Sequence, residues 1–211
     1  KTVIFAVEEN QDMPTKLAGK QDIKTALLEV GMDIMLEKGY SNTGIQEILS
    51  ALQVPKGSFY HYFESKENYA VEIIRHFDQG YTATLMRTLR NPAQTPIERL
   101  RTYCEEGKQK LKGQDCRKGC LIGNLSQEMA DQSEVLRKEL SGVMTKWRDL
   151  FAAVMDEGQE SGEITRKFSA VQLAELFTAG WSGAVMRAKT VKSIEPLDTF
   201  MDLMLNGMLG P

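Results

Sequence analysis

The sequence predicts an all-α protein in two parts, a three-helix unit followed by a longer helical domain, with about nine helices in all. Three observations carry that expectation. Apolar residues recur at i, i+3 and i+4 through almost all of the 211 residues. No stretch alternates apolar and polar residues as a half-buried strand does. Two short helical patterns, about 44–51 and 55–63, are separated by three residues, the spacing of a tight turn between helices.

Each helix has its own signals. Ile23, Leu27, Val30 and Ile34 lie at helical spacing up to Gly39, a natural C-terminal stop. Thr43 is placed to cap a second helix, Gly44 to Ala51, that turns Ile45, Ile48 and Leu49 inward. Leu52-Gln53-Val54 makes the turn, and Pro55 suits the start of the third helix. Ser65 caps a fourth helix to about Tyr81. Asn91-Pro92 breaks the chain, and Thr95-Pro96 opens a fifth helix to about Lys112. Gly113 through Gly119 forms a loop before a sixth helix from about Cys120 to Ala130. The seventh and longest runs from about Ser133 to Glu160 on the stripe Leu136, Leu140, Val143, Trp147, Phe151 and Val154, and Ser161-Gly162 ends it. Two more follow at about 169–189 and 196–208. Gly180, Gly183, Ala184 and Ala188 give the eighth a small-residue face. Leu197, Phe200, Met201, Met204 and Met208 give the ninth an apolar stripe.

The third helix, PKGSFYHYF at 55–63, carries the strongest functional signal. Phe59, Tyr62 and Phe63 share one face and read as core. Gly57, Tyr60 and His61 lie on the other, with Lys56 and Ser58 in the first turn. Burying that second face would leave a phenol and an imidazole in need of partners. Turned outward, the same groups suit a recognition helix, in which donors meet phosphates and a glycine lets the backbone approach. A solvated surface is the alternative reading.

These residues resemble the TetR family of transcriptional repressors. The likeness rests on Gly39-Tyr40, Thr43, Ile48, Val54-Pro55-Lys56-Gly57-Ser58, Phe59-Tyr60-His61-Tyr62-Phe63 and Ser65-Lys66-Glu67. It implies a helix-turn-helix DNA-binding domain over 20–80, with its motif at about 43–62, and a ligand-binding and dimerisation domain over 81–211. It further implies a homodimer paired through the last two helices, binding a double-stranded operator that is an imperfect palindrome. Thr43, Gly44, Lys56, Gly57, Ser58, Tyr60, His61 and Lys66 are the expected DNA-contacting residues. Lys66 in the first turn of its helix opposes the helix dipole, which suits service to a phosphate outside.

Composition sets bounds on this reading. The net charge is −3, and between 20 and 66 five lysines face six acids. Binding to DNA therefore depends on where cations and helix N-termini are placed, not on bulk charge. No apolar run reaches the roughly 18 residues of a membrane span, so no membrane association is expected. An odd cysteine count without a secretory signal points to a reducing cytoplasm. Residues 1–19 read as a disordered arm or an appendage left by expression. There is no Gly-rich phosphate loop and no Ser/His/Asp set, so neither an enzyme nor a cofactor is expected. Cys116 and Cys120 lie far from His61 and His76, which argues against a metal site. A helical scaffold without DNA binding fits the periodicity but not the outward face of 55–63.

The second informative string is Arg117-Lys118-Gly119-Cys120-Leu121-Ile122-Gly123-Asn124-Leu125-Ser126-Gln127-Glu128. Cys120 follows two cations at a helix start, and both features lower a thiol pKa. A small buried packing residue is the alternative. With Trp181-Ser182-Gly183-Ala184 and Arg187-Ala188-Lys189, the string resembles the acrylate-responsive and N-ethylmaleimide-responsive subgroup of the same family. That implies release from DNA by a small unsaturated or electrophilic inducer. Cys120, Asn124, Gln127, Tyr103, Trp147, Trp181 and Arg187 are the expected ligand or regulatory residues. Arg187, a lone cation on a small-residue helix, suits either a carboxylate ligand or an acid in the dimer interface.

Overall fold

The computed structural model describes residues 20–210, and the expectation for residues 1–19 lies outside them. Among the described residues nine α-helices form in the order α1 (Lys20–Lys38), α2 (Ile45–Leu52), α3 (Lys56–Tyr62), α4 (Lys66–Leu89), α5 (Pro96–Gly113), α6 (Leu121–Met129), α7 (Glu134–Ser161), α8 (Ala170–Val191) and α9 (Glu195–Met201), which runs on into a π-helical segment, Asp202–Met208. No strand occurs among the described residues.

The first three helices pack around the start of α4. Phe59 and Phe63 are buried with Tyr69 of α4, their ring centroids 4.7–5.2 Å apart. Tyr69 passes across Gly31 of α1 and donates its hydroxyl proton to the Leu27 carbonyl. A Cβ at position 31 would collide with that phenol, so the approach of α1 to α4 requires glycine there. Gly39, at φ +80°, ends α1 as expected.

The cap expected from Thr43 is not there. Thr43 is buried and its hydroxyl donates to the Gly39 carbonyl at 2.6 Å. Gly44 is the N-cap residue of α2, and no side chain caps that helix. The turn before α2 already uses the hydroxyl to close itself, so it cannot reach the helix.

Helix α4 is longer than the sequence suggested, because Leu85, Thr88 and Leu89 continue its buried stripe beyond Tyr81. It therefore runs through position 80 without a break and joins the N-terminal three-helix unit to the rest. The Ser65 side chain accepts from Asn68 N–H at 3.0 Å at its start. Ser133 and Ser169 cap α7 and α8 in the same way.

Helices α4, α5, α7 and α8 enclose the second core, with α9 along α8. Gly180 faces Phe200, and Ala184 and Ala188 are buried within this chain. The expected small-residue face is thus used largely inside the subunit. What α8 turns outward is Val171, Leu176, Met186 and Val191. In the last segment Leu209 N–H bonds to the Met204 carbonyl five residues back. That wider turn advances the stripe by one residue, so Leu205 and Leu209 are buried while Met208 is 41% exposed.

Candidate nucleic-acid interface and regulatory site

Helix α3 presents the residues expected of it. Phe59 and Phe63 hold the inner face, while Lys56, Gly57, Tyr60 and His61 are exposed, Tyr60 to 51%. Lys56 Nζ lies 5.9 Å above the Tyr60 ring. A Cβ on Gly57 would meet nothing within 4 Å, so this edge is open to an approaching surface. Ser58 is half-buried, and Gly44 is exposed at the start of α2. Thr43 departs from expectation, since its side chain is buried and spent on Gly39.

Lys66 is less open than Lys56. Its ammonium donates to the Ser41 carbonyl at 3.3 Å and lies 4.5 Å from the Tyr40 ring centroid. Burial lowers its pKa, and the nearby Glu128 carboxylate opposes that.

Glu128, on α6, makes the link between the two halves. One carboxylate oxygen accepts from Tyr40 N–H and the other from Ser41 N–H, each at 2.7 Å. Burial works to raise this carboxyl, but the Ser41 and Tyr40 hydrogen bonds and the Lys66 charge outweigh it and hold it below the usual range. The turn leading into α2 therefore hangs on the last turn of α6. A second tie lies just before α6, where Lys118 Nζ pairs with Asp33 at 3.3 Å and Glu37 at 3.6 Å, both on α1.

Cys120 is the N-cap residue of α6 and is half-buried. The expected activation of its thiol is corrected by its surroundings. Lys118 is turned to α1 and Arg117 is exposed. Burial pushes the Cys120 thiol up; the Gly123 and Ile122 N–H groups and the Lys110 charge pull it down without overcoming that effect.

Around Cys120 the structure gathers only part of the expected ligand set. The Tyr103 hydroxyl lies 2.9 Å from that of Tyr81, a residue the sequence reading did not single out. The Tyr81 ring centroid lies 4.4 Å from that of Trp147 with the planes tilted by 49°, and that of Tyr103 lies 5.5 Å from that of Trp181. Burial raises both phenols first of all, and Cys120 is close enough to raise them further. Both are therefore neutral at physiological pH. Two hydroxyls sharing one hydrogen bond leave one O–H proton unspent. Tyr81, Tyr103 and Cys120 are each half-buried. Tyr81 was legible in principle, as a polar-tipped aromatic four residues after Phe77 and four before Leu85.

Trp147 and Asn124, whose N–H bonds to the Cys120 carbonyl at 2.9 Å, adjoin this group with their side-chain donors already spent, and Gln127 and Arg187 lie outside it. Trp147 donates its indole N–H to Asp78 at 2.8 Å. Asn124 donates to the Lys118 carbonyl at 2.9 Å and steadies the loop. Gln127 is exposed. Arg187 is exposed too, because the buried stripe Leu173, Phe177, Trp181, Ala184 and Ala188 turns position 187 outward. No group of three or more metal-ligating side chains occurs among the described residues. No described helix is long and apolar enough to cross a membrane.

Comparison with known proteins gives a consistent result. Residues 27–73 match the model of bacterial regulatory proteins of the tetR family, and residues 96–204 match the tetracyclin repressor-like C-terminal domain. The chain is 37% identical to the HTH-type transcriptional repressor DhaR of Mycobacterium sp. (strain GP1), over 89% of this chain and 92% of the relative. It is also 37% identical to the transcriptional regulator AcuR of Cereibacter sphaeroides, over 83% and 80%. The crystal structure of the reduced form of E. coli NemR superposes with a TM-score of 0.81 at 29% identity, covering 90% of this chain and 98% of that one.

Proposed function

We propose that this chain, which belongs to the TetR family of DNA-binding transcriptional repressors, leaves its operator when a small unsaturated or electrophilic molecule enters the helical domain beside Cys120. The protein is a regulator and not an enzyme, with a DNA-binding helix-turn-helix at its N-terminal end and a ligand-responsive helical domain after it. The reading rests on one observation above others. Cys120 begins α6, and Glu128 near its other end holds the Tyr40 and Ser41 N–H groups ahead of the helix-turn-helix. Displacing the start of α6 therefore strains the seat of the DNA-binding unit.

The acting unit is a homodimer. The apolar groups that α8 and the C-terminal segment leave outside, led by Leu203 at 66% and Met186 at 59% exposure, are what a second copy would cover. Two α3 helices spaced by one turn of DNA would read an imperfect palindrome, which one short helix cannot. Lys56, Gly57, Tyr60 and His61 are its contact face, and Gly44, Ser58 and Lys66 flank it. Residues 20–80 serve DNA and 81–211 serve ligand and partner, with α4 common to both. The inducer acts by favouring a dimer whose two recognition helices no longer match one DNA turn. A ligand bound equally by both forms would shift nothing.

The experiment is operator release followed by fluorescence anisotropy, with intact-mass measurement on the same samples. Release accompanied by an adduct on Cys120, and lost in Cys120→Ser, identifies covalent capture. Release without an adduct, weakened in Tyr81→Phe, identifies reversible binding, which the raised thiol pKa favours. No release by any member of an electrophile and enone panel overturns the proposed inducer class.

A further inference from the structure

A concave site lies between the α5–α6 loop and the α8–α9 turn. It is a cleft of about 640 Å³ lined by Lys112, Asp115, Arg117, Lys192 and Ser193 among others. That size falls within the usual range for small-molecule sites. Three cations face a single carboxylate there, in a protein whose net charge is −3. The Lys112 and Arg117 side chains make no ion pair or hydrogen bond among the described residues. Lys192, the third lining cation, donates to the Cys116 carbonyl at 3.2 Å, and one further cation, Lys189, donates to the Lys118 carbonyl at 3.3 Å, so both brace the loop.

The backbone of the cleft is unusual in the same place. Asp115 and Cys116 of the lining have φ of 51° and 52°, Lys118 beside them has φ 61°, and Lys192 at φ 55° is the left-handed C-cap of α8. Side-chain-bearing residues adopt this conformation at a cost, and held conformations of this kind gather at ligand clamps. Holding several cations together around a hollow also costs energy that an anion would relieve.

We propose that this cleft binds a small phosphate-bearing anion. The guanidinium of Arg117 offers a fork that matches two phosphate oxygens, and Lys112 and Lys192 supply point charges beside it. A single carboxylate would leave most of that charge unmet. The site bears on DNA binding through Lys118, which belongs to the same loop and pairs with Asp33 and Glu37 of α1. Its occupant is therefore a second input to the repressor, in addition to the one proposed at Cys120.

The test is calorimetric titration of the full chain with inorganic pyrophosphate at fixed ionic strength, repeated on the double variant Lys112→Gln, Arg117→Gln. Both residues are exposed, so the variant should fold, as circular dichroism would verify. Binding to the unaltered protein that weakens at least about tenfold in the variant is the expected result. Heat absent up to about 10 mM pyrophosphate, or equal in both proteins, overturns it. A variant that instead flattens the operator salt slope by about two units per subunit, when the unaltered protein takes no pyrophosphate, assigns these cations to the DNA backbone and also overturns it.

Discussion

Helices α3 and α6 make an instructive pair. Both are short, both begin without a side-chain cap, and both start beside lysine. In α3 the functional groups point into solvent, and only the aromatic face is enclosed. In α6 the first residue is enclosed, and the lysine before it is turned to a different helix. The same local signal therefore has opposite chemical meaning. An exposed cation at a helix start is available to a phosphate, whereas enclosure at a helix start keeps a thiol protonated against the pull of the helix dipole.

The contrast within α3 should show the largest effect. Phe59→Ala is expected to cost about 3–5 kcal/mol by opening a cavity against Phe63 and Tyr69. Tyr60→Ala should cost less than about 0.5 kcal/mol, as for an ordinary surface change. Urea unfolding of the two variants decides this, and similar losses would erase the distinction between the two faces.

Next in size is the grip of α6 on the turn at Tyr40. Glu128→Ala strips the acceptor from two N–H groups, at a cost of about 1–3 kcal/mol. It should also weaken operator binding, while Glu128→Gln restores part of both. The folded-state pKa of Glu128 is depressed, so its contribution is present above the unfolded value and is lost as pH falls through the folded one. The stability gap between Glu128→Ala and the parent protein should therefore close in acid, below about pH 4.5. A gap independent of pH would mean that the charge is not what matters.

Smaller effects are expected at the DNA face. Lys56→Ala should weaken all DNA sequences about equally and flatten the salt slope by about one unit per lost phosphate contact. Lys66→Ala should do the same and also loosen the Tyr40 turn that the ammonium packs against. If Lys66→Ala leaves both affinity and slope unchanged, its assignment to DNA is wrong. The smallest signal lies at Cys120. Modification by N-ethylmaleimide, followed by mass spectrometry, should be slower than for a free thiol at neutral pH and should accelerate as pH rises. Fast, pH-independent modification would put the thiolate back at the centre of the mechanism.

The fold was legible because helices declare themselves by period and punctuation. Gly39, Asn91-Pro92, Thr95-Pro96 and Ser161-Gly162 all lie at or next to helix ends. The outward face of α3 could be read for a related reason, since one side of a seven-residue helix follows from spacing alone. What escaped depended on partners distant in sequence. Thr43 reads as a cap until Gly39 claims its hydroxyl. Arg187 reads as a pocket cation or an interface cation, and only the inward-facing stripe from Leu173 to Ala188 takes it out of the pocket. Cys120 reads as activated until its burial and the reach of Lys118 toward Asp33 are known. Tyr81 gains meaning only from Tyr103, twenty-two residues away.

The crossing of Tyr69 over Gly31 has a mechanical consequence. A phenol seated on a bare backbone and bonded to the carbonyl of Leu27 acts as a key in a slot. Helix α1 cannot slide or roll along α4 by a turn without expelling that ring, and no neighbouring glycine on α1 offers a second slot. The DNA-reading end is therefore a gear fixed to its axle. Any signal that moves it must turn it whole, by swinging α4 or pulling through α6, and in the proposed dimer the distance between two such ends would be the quantity an inducer tunes.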